Sequence, residues 1–317
     1  MTRIDGLVRP VQSIGTYQEI AALAPPSNRW VVFGCPLSLD ALHADSTPYG
    51  GPESIRGAFP YFEAARGAEV MGDWESGNIV PIREMVPADV GDLELGDRAD
   101  LESYGASVNA VVQTITERGG RPLMLGGEHS LTRFSVDALA SIGSVWVVHL
   151  DAHSDVEIAE PLSPLTNGNV MSYVEQLSNV AGVVHAGVRE YEFGSQEAVV
   201  DLLRGDAWLS SSRFGQLGSA LSKRLPPDAK VYLSIDIDVL DPGVNPNIAW
   251  PSAGGISVRE LVSAVADIAA TYEVIGADIV ELTAAPHTMN LGAIAASRLI
   301  MALLSDGRVG AQHGKED

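Results

Sequence analysis

Short runs of apolar, β-branched residues alternate along the chain with longer stretches in which apolar residues recur at helical spacing. The short runs predict buried strands at residues 30–33, 122–125, 145–150, 183–188, 231–237 and 274–280. The longer stretches predict helices at residues 101–116, 131–139, 258–270 and 291–304. Strands that alternate with helices are typical of a parallel sheet covered on both faces. The sequence therefore predicts an α/β fold.

The domain organisation follows from the absence of any clear division in the sequence. A length of 317 residues suffices for one large α/β domain or for two ordinary ones. No long Pro/Gly/Ser-rich linker interrupts the chain, and no segment of 20 to 50 residues is repeated. We predict a single domain over residues 1–317, with an N-terminal arm at residues 1–28 and a polar tail at residues 308–317.

The composition limits the partners and the location of the protein. A formal net charge of −21 disfavours nucleic acid and anionic membranes and attracts cationic small molecules, although acidity also simply keeps proteins soluble. Cys35 is the only cysteine, which excludes an intrachain disulfide. The N-terminus lacks the apolar stretch of a signal peptide, and no apolar run is long enough to span a membrane. We predict a cytoplasmic protein without membrane or nucleic-acid partners.

Potential metal ligands cluster after three of the predicted strands. Residues two apart in an extended segment project to the same side, and the carboxyl ends of parallel strands border the crevice in which active sites form. The predicted ligands are His129, Asp151, His153, Asp155, Asp236 and Asp238. An isolated Asp-x-His or Asp-x-Asp is usually a loop feature, but three such segments at three strand ends indicate one metal site.

The ligand types indicate two divalent cations. Four crowded carboxylates repel one another unless cations lie between them, and a bound metal lowers the pKa of water toward 7. Carboxylates with imidazoles suit Mn²⁺, although Ni²⁺, Co²⁺ and Zn²⁺ remain alternatives. His149 lies inside an apolar strand and is interpreted as a hydrogen-bonded core histidine. The remaining histidines lack ligand spacing and are His43, His185, His287 and His313.

These segments resemble the metal signatures of the ureohydrolase family, which includes arginase, agmatinase, guanidino-acid hydrolases and formiminoglutamase. The similar segments are residues 126–130 (GGEHS), 151–155 (DAHSD) and 234–242 (SIDIDVLDP), supported by 50–56 (GGPESIR), 186–189 (AGVR), 254–255 (GG) and 279–282 (IVEL). The resemblance covers about residues 30–305. It implies a three-layer α/β/α architecture with a mainly parallel sheet of about eight strands, and a homo-oligomer, either a trimer or a hexamer.

The resemblance also implies how the ligands divide between two Mn²⁺ ions. Asp151 and Asp236 would bridge both ions, which would activate water between them. His129 and Asp155 would complete one site, and His153 and Asp238 the other.

Glu281, Asn167 and Trp250 are the predicted substrate contacts. Glu281 matches the family's substrate-binding glutamate and can pair with a guanidinium, or it can merely cap a strand. Asp155 is the second predicted catalytic residue, as acceptor of a proton from water. Asn167 stands where most arginases and agmatinases have a histidine, and it cannot titrate. Trp250 either forms a wall for the substrate or packs beneath its loop.

The resemblance implies hydrolysis of a guanidino compound other than arginine, either agmatine-like or a guanidino acid, to urea and an amine. Three alternatives stay open. One is a formiminoglutamate-type hydrolase that releases formamide. Another is a catalytically weak, metal-dependent protein that binds a guanidino ligand or a partner, which the asparagine at position 167 motivates. The third is a deacetylase-like amidohydrolase with a single metal.

Overall fold

The computed structural model describes residues 8–9, 16–17, 29–39, 48–58, 68–94, 100–157, 162–284 and 290–310. Its strands are Val8–Arg9 (β1), Thr16–Tyr17 (β2), Trp30–Cys35 (β3), Val70–Gly72 (β4), Ile79–Pro81 (β5), Ala88–Leu93 (β6), Arg121–Gly126 (β7), Val145–Leu150 (β8), Val180–Val188 (β9), Trp208–Ser210 (β10), Lys230–Asp236 (β11) and Glu273–Val280 (β12). Its α-helices are Gly51–Gly57 (α1), Leu101–Glu117 (α2), Thr132–Asp137 (α3), Val170–Glu175 (α4), Gln196–Arg204 (α5), Leu217–Arg224 (α6), Val258–Thr271 (α7) and Leu291–Leu304 (α8).

The central sheet confirms the predicted architecture. Its order is β1-β6-β3-β7-β12-β11-β8-β9-β10, with β2 also paired to β6. The eight strands from β6 to β10 are all parallel, and only the two-residue β1 runs antiparallel. Strands β4 and β5 form a separate antiparallel pair. Of the predicted arm, residues 8–9 and 16–17 form β1 and β2, and the other residues up to 28 lie outside the described residues, as does the predicted tail from residue 311 onward.

Helices cover both faces of the sheet, which gives the three layers. On one face, α7 and α8 bury Leu261, Val265 and Leu299 against the sheet. On the other face, α2 and α3 contribute Val108 and Phe134 to a second apolar cluster. In the described ranges, every helix falls short of the length and hydropathy that a bilayer span requires.

Two predicted elements differ clearly in extent, and the sequence did not predict β6 and β10 of the parallel array or the short strands β1, β2, β4 and β5. The helix predicted at residues 131–139 is α3, flanked by short 3-10 turns. The strand predicted at 183–188 begins at Val180. Strand β6 was missed because Asp89 and Asp92 interrupt its apolar pattern. Both carboxylates are buried and pair with Arg56 of α1. Asp89 lies 3.0 Å from Nε of Arg56, and Asp92 lies 2.5 Å from its Nη1. Strand β10 has three residues, too few to show a pattern.

The sheet order explains why distant parts of the sequence meet. Strands β7, β12, β11 and β8 are consecutive neighbours and parallel. Their carboxyl ends therefore lie side by side along one edge of the sheet, although they are separated by up to about 150 residues in the sequence. The ends of these four strands and the loops that follow them carry all six predicted metal ligands and Glu281.

Candidate metal centre

The structure brings all six predicted ligands together at this edge. His129 begins a 3-10 turn shortly after β7, and Asp151 follows the last residue of β8. Asp236 is the last residue of β11. Five of the six side chains are buried, and His153 retains 27% of its side-chain exposure. The site is therefore formed by strand ends that a rigid sheet holds in register.

One half of the centre lies around Nδ1 of His129. This atom is 2.9 Å from Oδ2 of Asp155, 3.2 Å from Oδ2 of Asp151 and 3.5 Å from Oδ2 of Asp236. Nδ1 is also buried without a hydrogen-bond partner of acceptable geometry. A buried nitrogen that converges with three carboxylates in this way fits a cation ligand better than a solvated side chain.

The other half of the centre lies around Nδ1 of His153. It is 3.0 Å from Oδ2 of Asp238 and 3.4 Å from Oδ1 of Asp151. Asp151 thus directs one carboxylate oxygen toward each histidine. The backbone supports this arrangement, because the amide of His153 donates to Oδ1 of Asp151 at 2.6 Å and that of Ala152 donates to Asp238 at 3.1 Å.

The charges of the centre also call for cations. Burial, together with the neighbouring carboxylates, raises the pKa of Asp155, Asp236 and Asp238 above the usual range. Although burial opposes it, Asp151 and Asp238 raise the pKa of His153 to about 12. Among the described residues, two groups have the spacing of a cation site: His129, His149, Asp151 and Asp155, and also Asp151, His153 and Asp238. The residues thus fit divalent cations.

A buried polar network behind His129 fixes which of its ring nitrogens faces the centre. Nε2 of His129 lies 2.9 Å from Oγ of Ser234, and that hydroxyl donates to Oδ1 of Asp278 at 2.8 Å. Thr132 and Tyr232 donate to the other oxygen of Asp278 at 2.8 and 2.7 Å. Since the serine proton points to the carboxylate, Nε2–H of His129 donates to the serine, and Nδ1 is the nitrogen that a metal would bind.

His149 is buried and hydrogen-bonded, as interpreted from the sequence, but it also belongs to the centre. Its Nε2 lies 2.9 Å from Oδ2 of Asp151, and its Nδ1 lies 2.9 Å from Nδ1 of His185. Sequence reasoning missed this contact. The available signal was spacing, because residues 149 and 151 are two apart and face the same side.

Arg189, in the segment 186–189, holds the loop that follows Asp238. Its guanidinium donates to the backbone carbonyls of Asp238, Val239 and Leu240 at 2.7 to 3.3 Å, and also to that of Ser252 at 2.9 Å. The guanidinium of Arg189 thereby links the turn that carries Asp238 to the segment around Trp250 and Ser252. Sequence reasoning gave Arg189 no role beyond the family resemblance.

A cleft of about 350 Å³ opens above the centre. Besides five of the six ligands, Glu281, Asn167 and Trp250 line it, so all three predicted substrate contacts reach the cleft. Trp250 is 42% exposed, which favours a cleft wall over packing beneath its loop. Glu281 is buried, its Oε1 accepts from the amide of His129 at 2.7 Å, and burial raises its pKa to about 8.

Asp155 and Glu281 adopt a left-handed backbone conformation, with φ of 50° and 62°. Such values are uncommon for residues other than glycine and cluster at functional sites. Neither residue could be assigned this conformation from the sequence.

The fold and the cluster of histidines and aspartates define an α/β protein with a candidate metal centre at the carboxyl ends of its strands. The Arginase family model matches residues 28–305, and the chain belongs to that family. The ureohydrolase resemblance of the sequence is thus confirmed.

Individual relatives agree with this assignment. An agmatinase of Halalkalibacterium halodurans is 28% identical over 286 residues, which cover 86% of this chain and 90% of the agmatinase. The structure of a proclavaminate amidino hydrolase from Streptomyces clavuligerus has a TM-score of 0.71 at 24% identity and covers 90% of this chain and 93% of its own. The structure of a formimidoylglutamase from Bacillus subtilis has a TM-score of 0.72 at 22% identity. The match covers 88% of this chain and 87% of the formimidoylglutamase. The two structural similarities, at this identity, show the fold.

Proposed function

We propose that the protein is a binuclear-metal hydrolase that cleaves a carbon–nitrogen bond of a guanidino compound and releases urea and an amine. The observation that carries this proposal is the pair of ligand groups around His129 and His153, which share Asp151 and open into one cleft with Glu281. We propose two Mn²⁺ ions, with Ni²⁺, Co²⁺ and Zn²⁺ as alternatives. Bound there, the cations would supply Lewis acidity that lowers the pKa of water.

The chain's own residues would orient the substrate and move the proton. Glu281 would pair with the guanidinium through its carboxylate and present the central carbon to the metal centre. Asp155 would accept the proton of the attacking water and pass it to the leaving nitrogen, since its Oδ2 faces the centre 2.9 Å from His129. Asn167 cannot transfer protons and would only hydrogen-bond the substrate.

The walls of the cleft support a substrate with a cationic or neutral tail over one with an acidic tail. Glu190 and Glu192 line the outer part, and none of its described lining residues is an arginine or lysine. The segments 158–161 and 285–289, which flank Asp155 and Glu281 in sequence, contain no arginine or lysine either. A carboxylate tail would meet two glutamates without a compensating cation. We therefore favour a guanidinoalkylamine.

Urea release by the metal-loaded protein tests the proposal. The panel comprises guanidinoalkylamines, guanidinoalkanoic acids, arginine and a formimino amino acid, each with Mn²⁺, Ni²⁺, Co²⁺ and Zn²⁺. We expect turnover of guanidinoalkylamines and little turnover of the acids. Formamide release from the formimino compound would favour that alternative. Binding without turnover of any member would favour the ligand-binding protein, and loading with one ion per chain would favour the single-metal amidohydrolase.

A variant isolates the role of the tail. Glu192→Gln should raise KM for the amines several-fold and leave KM for a tail-free alkylguanidine unchanged. The matched control is Glu197→Gln, because Glu197 is exposed on α5 and does not line the cleft. An equal effect of both variants would show that overall charge, not a contact in the cleft, attracts the substrate. Cytoplasmic location, a single domain and a trimer or hexamer remain predictions.

A further inference from the structure

Two fully buried histidines form a chain that leads from the metal centre toward the surface. His149 bonds Oδ2 of Asp151 through Nε2 and contacts Nδ1 of His185 through its own Nδ1, both at 2.9 Å. On the far side, Nε2 of His185 lies 3.4 Å from Oε1 of Glu175, whose side chain is 47% exposed. The role proposed above for the six ligands uses neither imidazole.

The partners of the chain decide where its protons lie. An ionised carboxylate only accepts hydrogen bonds, so Nε2 of His149 carries a proton for Asp151. A neutral imidazole with that proton has a bare Nδ1, which must accept. The donor to it is Nδ1–H of His185, whether or not His185 carries a second proton.

The surrounding structure holds both rings in place. Residues 149 and 185 are direct partners in the register of β8 and β9. The two imidazoles meet edge to face, with centroids 5.0 Å apart and an interplanar angle of 89°. The indole of Trp208, on β10, stacks on His185 at 3.7 Å and 7°. The ring of His185 is therefore fixed between a strand neighbour and an aromatic plane, and its N–H aims at His149.

We propose that His185 is a positioning residue for the metal centre. Its Nδ1–H donates to Nδ1 of His149, which leaves Nε2–H of His149 to donate to Asp151. This hydrogen bond orients the carboxylate that faces both halves of the metal centre. This inference deepens the proposed function, and rests on it for the role of Asp151 as the shared ligand. Without the donor, the imidazole of His149 would keep a buried, unsatisfied Nδ1 and lose the contact that fixes its plane.

The first test measures Mn²⁺ dissociation constants of the full-length protein by competition with a chelator. His185→Leu, which removes the donor, should weaken binding about 10- to 100-fold. His185→Asn should restore most of the affinity, because its side-chain amide nitrogen occupies the position of Nδ1 and can donate to Nδ1 of His149. Val183→Ala serves as the control, since it removes buried side-chain volume from the same strand at a position paired with Val147 rather than with His149. Wild-type affinity in His185→Leu, or an equal loss in His185→Asn, would overturn the proposal.

The second test needs no variant and stands if His185→Leu does not fold. In the metal-free protein labelled with ¹⁵N-histidine, NMR should show protonated Nε2 on His149 and a scalar coupling across the two Nδ1 atoms, with the proton on His185. A proton on Nδ1 of His149, or no coupling, would refute the inference. Both tests measure structure or metal affinity, so a failure of urea release alone would contradict the proposed function and leave this inference intact.

Discussion

Ser234→Ala is the substitution that most directly tests how the fold prepares His129 for a metal. The change removes one hydroxyl, to which Nε2–H of His129 donates at 2.9 Å, and it leaves every predicted ligand in place. Both residues are buried, with 0% exposure, so water cannot readily replace the lost acceptor. The imidazole then either keeps an unsatisfied N–H or moves its proton to Nδ1, which blocks the lone pair that faces the carboxylates.

The expected loss of metal affinity can be worked out from the unsatisfied N–H or from the lost support of the metal ligand. A buried donor left without a partner costs about 1–3 kcal/mol. Loss of a hydrogen-bond partner behind a metal ligand typically weakens metal binding about 10- to 100-fold, which corresponds to about 1.4–2.8 kcal/mol. The two ranges agree, and we expect a loss of that size, concentrated in the half of the centre around His129.

Chelator competition with Mn²⁺ measures this loss, and Ser135→Ala is the matched control. Ser135 is equally buried and its hydroxyl lies 2.9 Å from the Tyr232 hydroxyl in the same network, but it makes no bond to His129. The control should bind Mn²⁺ within about threefold of the wild type, a change of about 0.7 kcal/mol. Equal affinities of Ser234→Ala and the wild type would refute the idea that the serine sets the tautomer of His129.

Three further perturbations address the ligands, the fold and the protons of the centre. Asp151→Ala should abolish loading of both ions and activity, and two bound ions by elemental analysis would contradict this. Arg56→Leu leaves Asp89 and Asp92 buried without their cation and should lower the free energy of unfolding by about 3–5 kcal/mol in urea, whereas Arg308→Leu, at an exposed ion pair, should change it by less than about 1 kcal/mol. Burial lowers the pKa of His153, but contact with Asp151 and Asp238 outweighs it and raises the pKa to about 12 in the metal-free protein. The folded state therefore keeps a proton that the unfolded state loses above about pH 6.5. Stability should thus fall from pH 7 to 9, by up to about 1.4 kcal/mol per pH unit, and saturating Mn²⁺, which displaces that proton, should flatten the curve. A metal-free melting temperature that rises over this range would contradict the assignment.

The clustering of the candidate ligands was predictable because each signal is local. Asp151, His153 and Asp155 follow one apolar run at alternate positions, and Asp236 and Asp238 repeat the pattern after another. Parallel packing of the strands then brings the two runs to one edge without any further information. The main features of the sheet followed from the same apolar runs.

The supporting residues were not predictable because they depend on strand register. Asp278 acts on His129 only because it pairs with Ser234 across β11 and β12. Likewise, His185 meets His149 through the register of β8 and β9. Strand β6 escaped detection for a related reason, since its carboxylates are compensated by Arg56 from another element.

The left-handed backbone conformation of Asp155 and Glu281 opposes the proposed activity to thermal stability. This conformation costs a non-glycine residue about 1–2 kcal/mol, and glycine would remove that strain while adding about 0.5–1 kcal/mol of chain entropy. Glycine at position 155 would relieve this strain but delete a carboxylate from the cleft. At position 281 it would also leave the buried amide of His129 without its acceptor, which costs about 1–3 kcal/mol and offsets the relief. A selection for heat resistance alone could therefore favour loss of the carboxylate at position 155, and variants made for thermal stability should keep Asp155 and Glu281 unchanged.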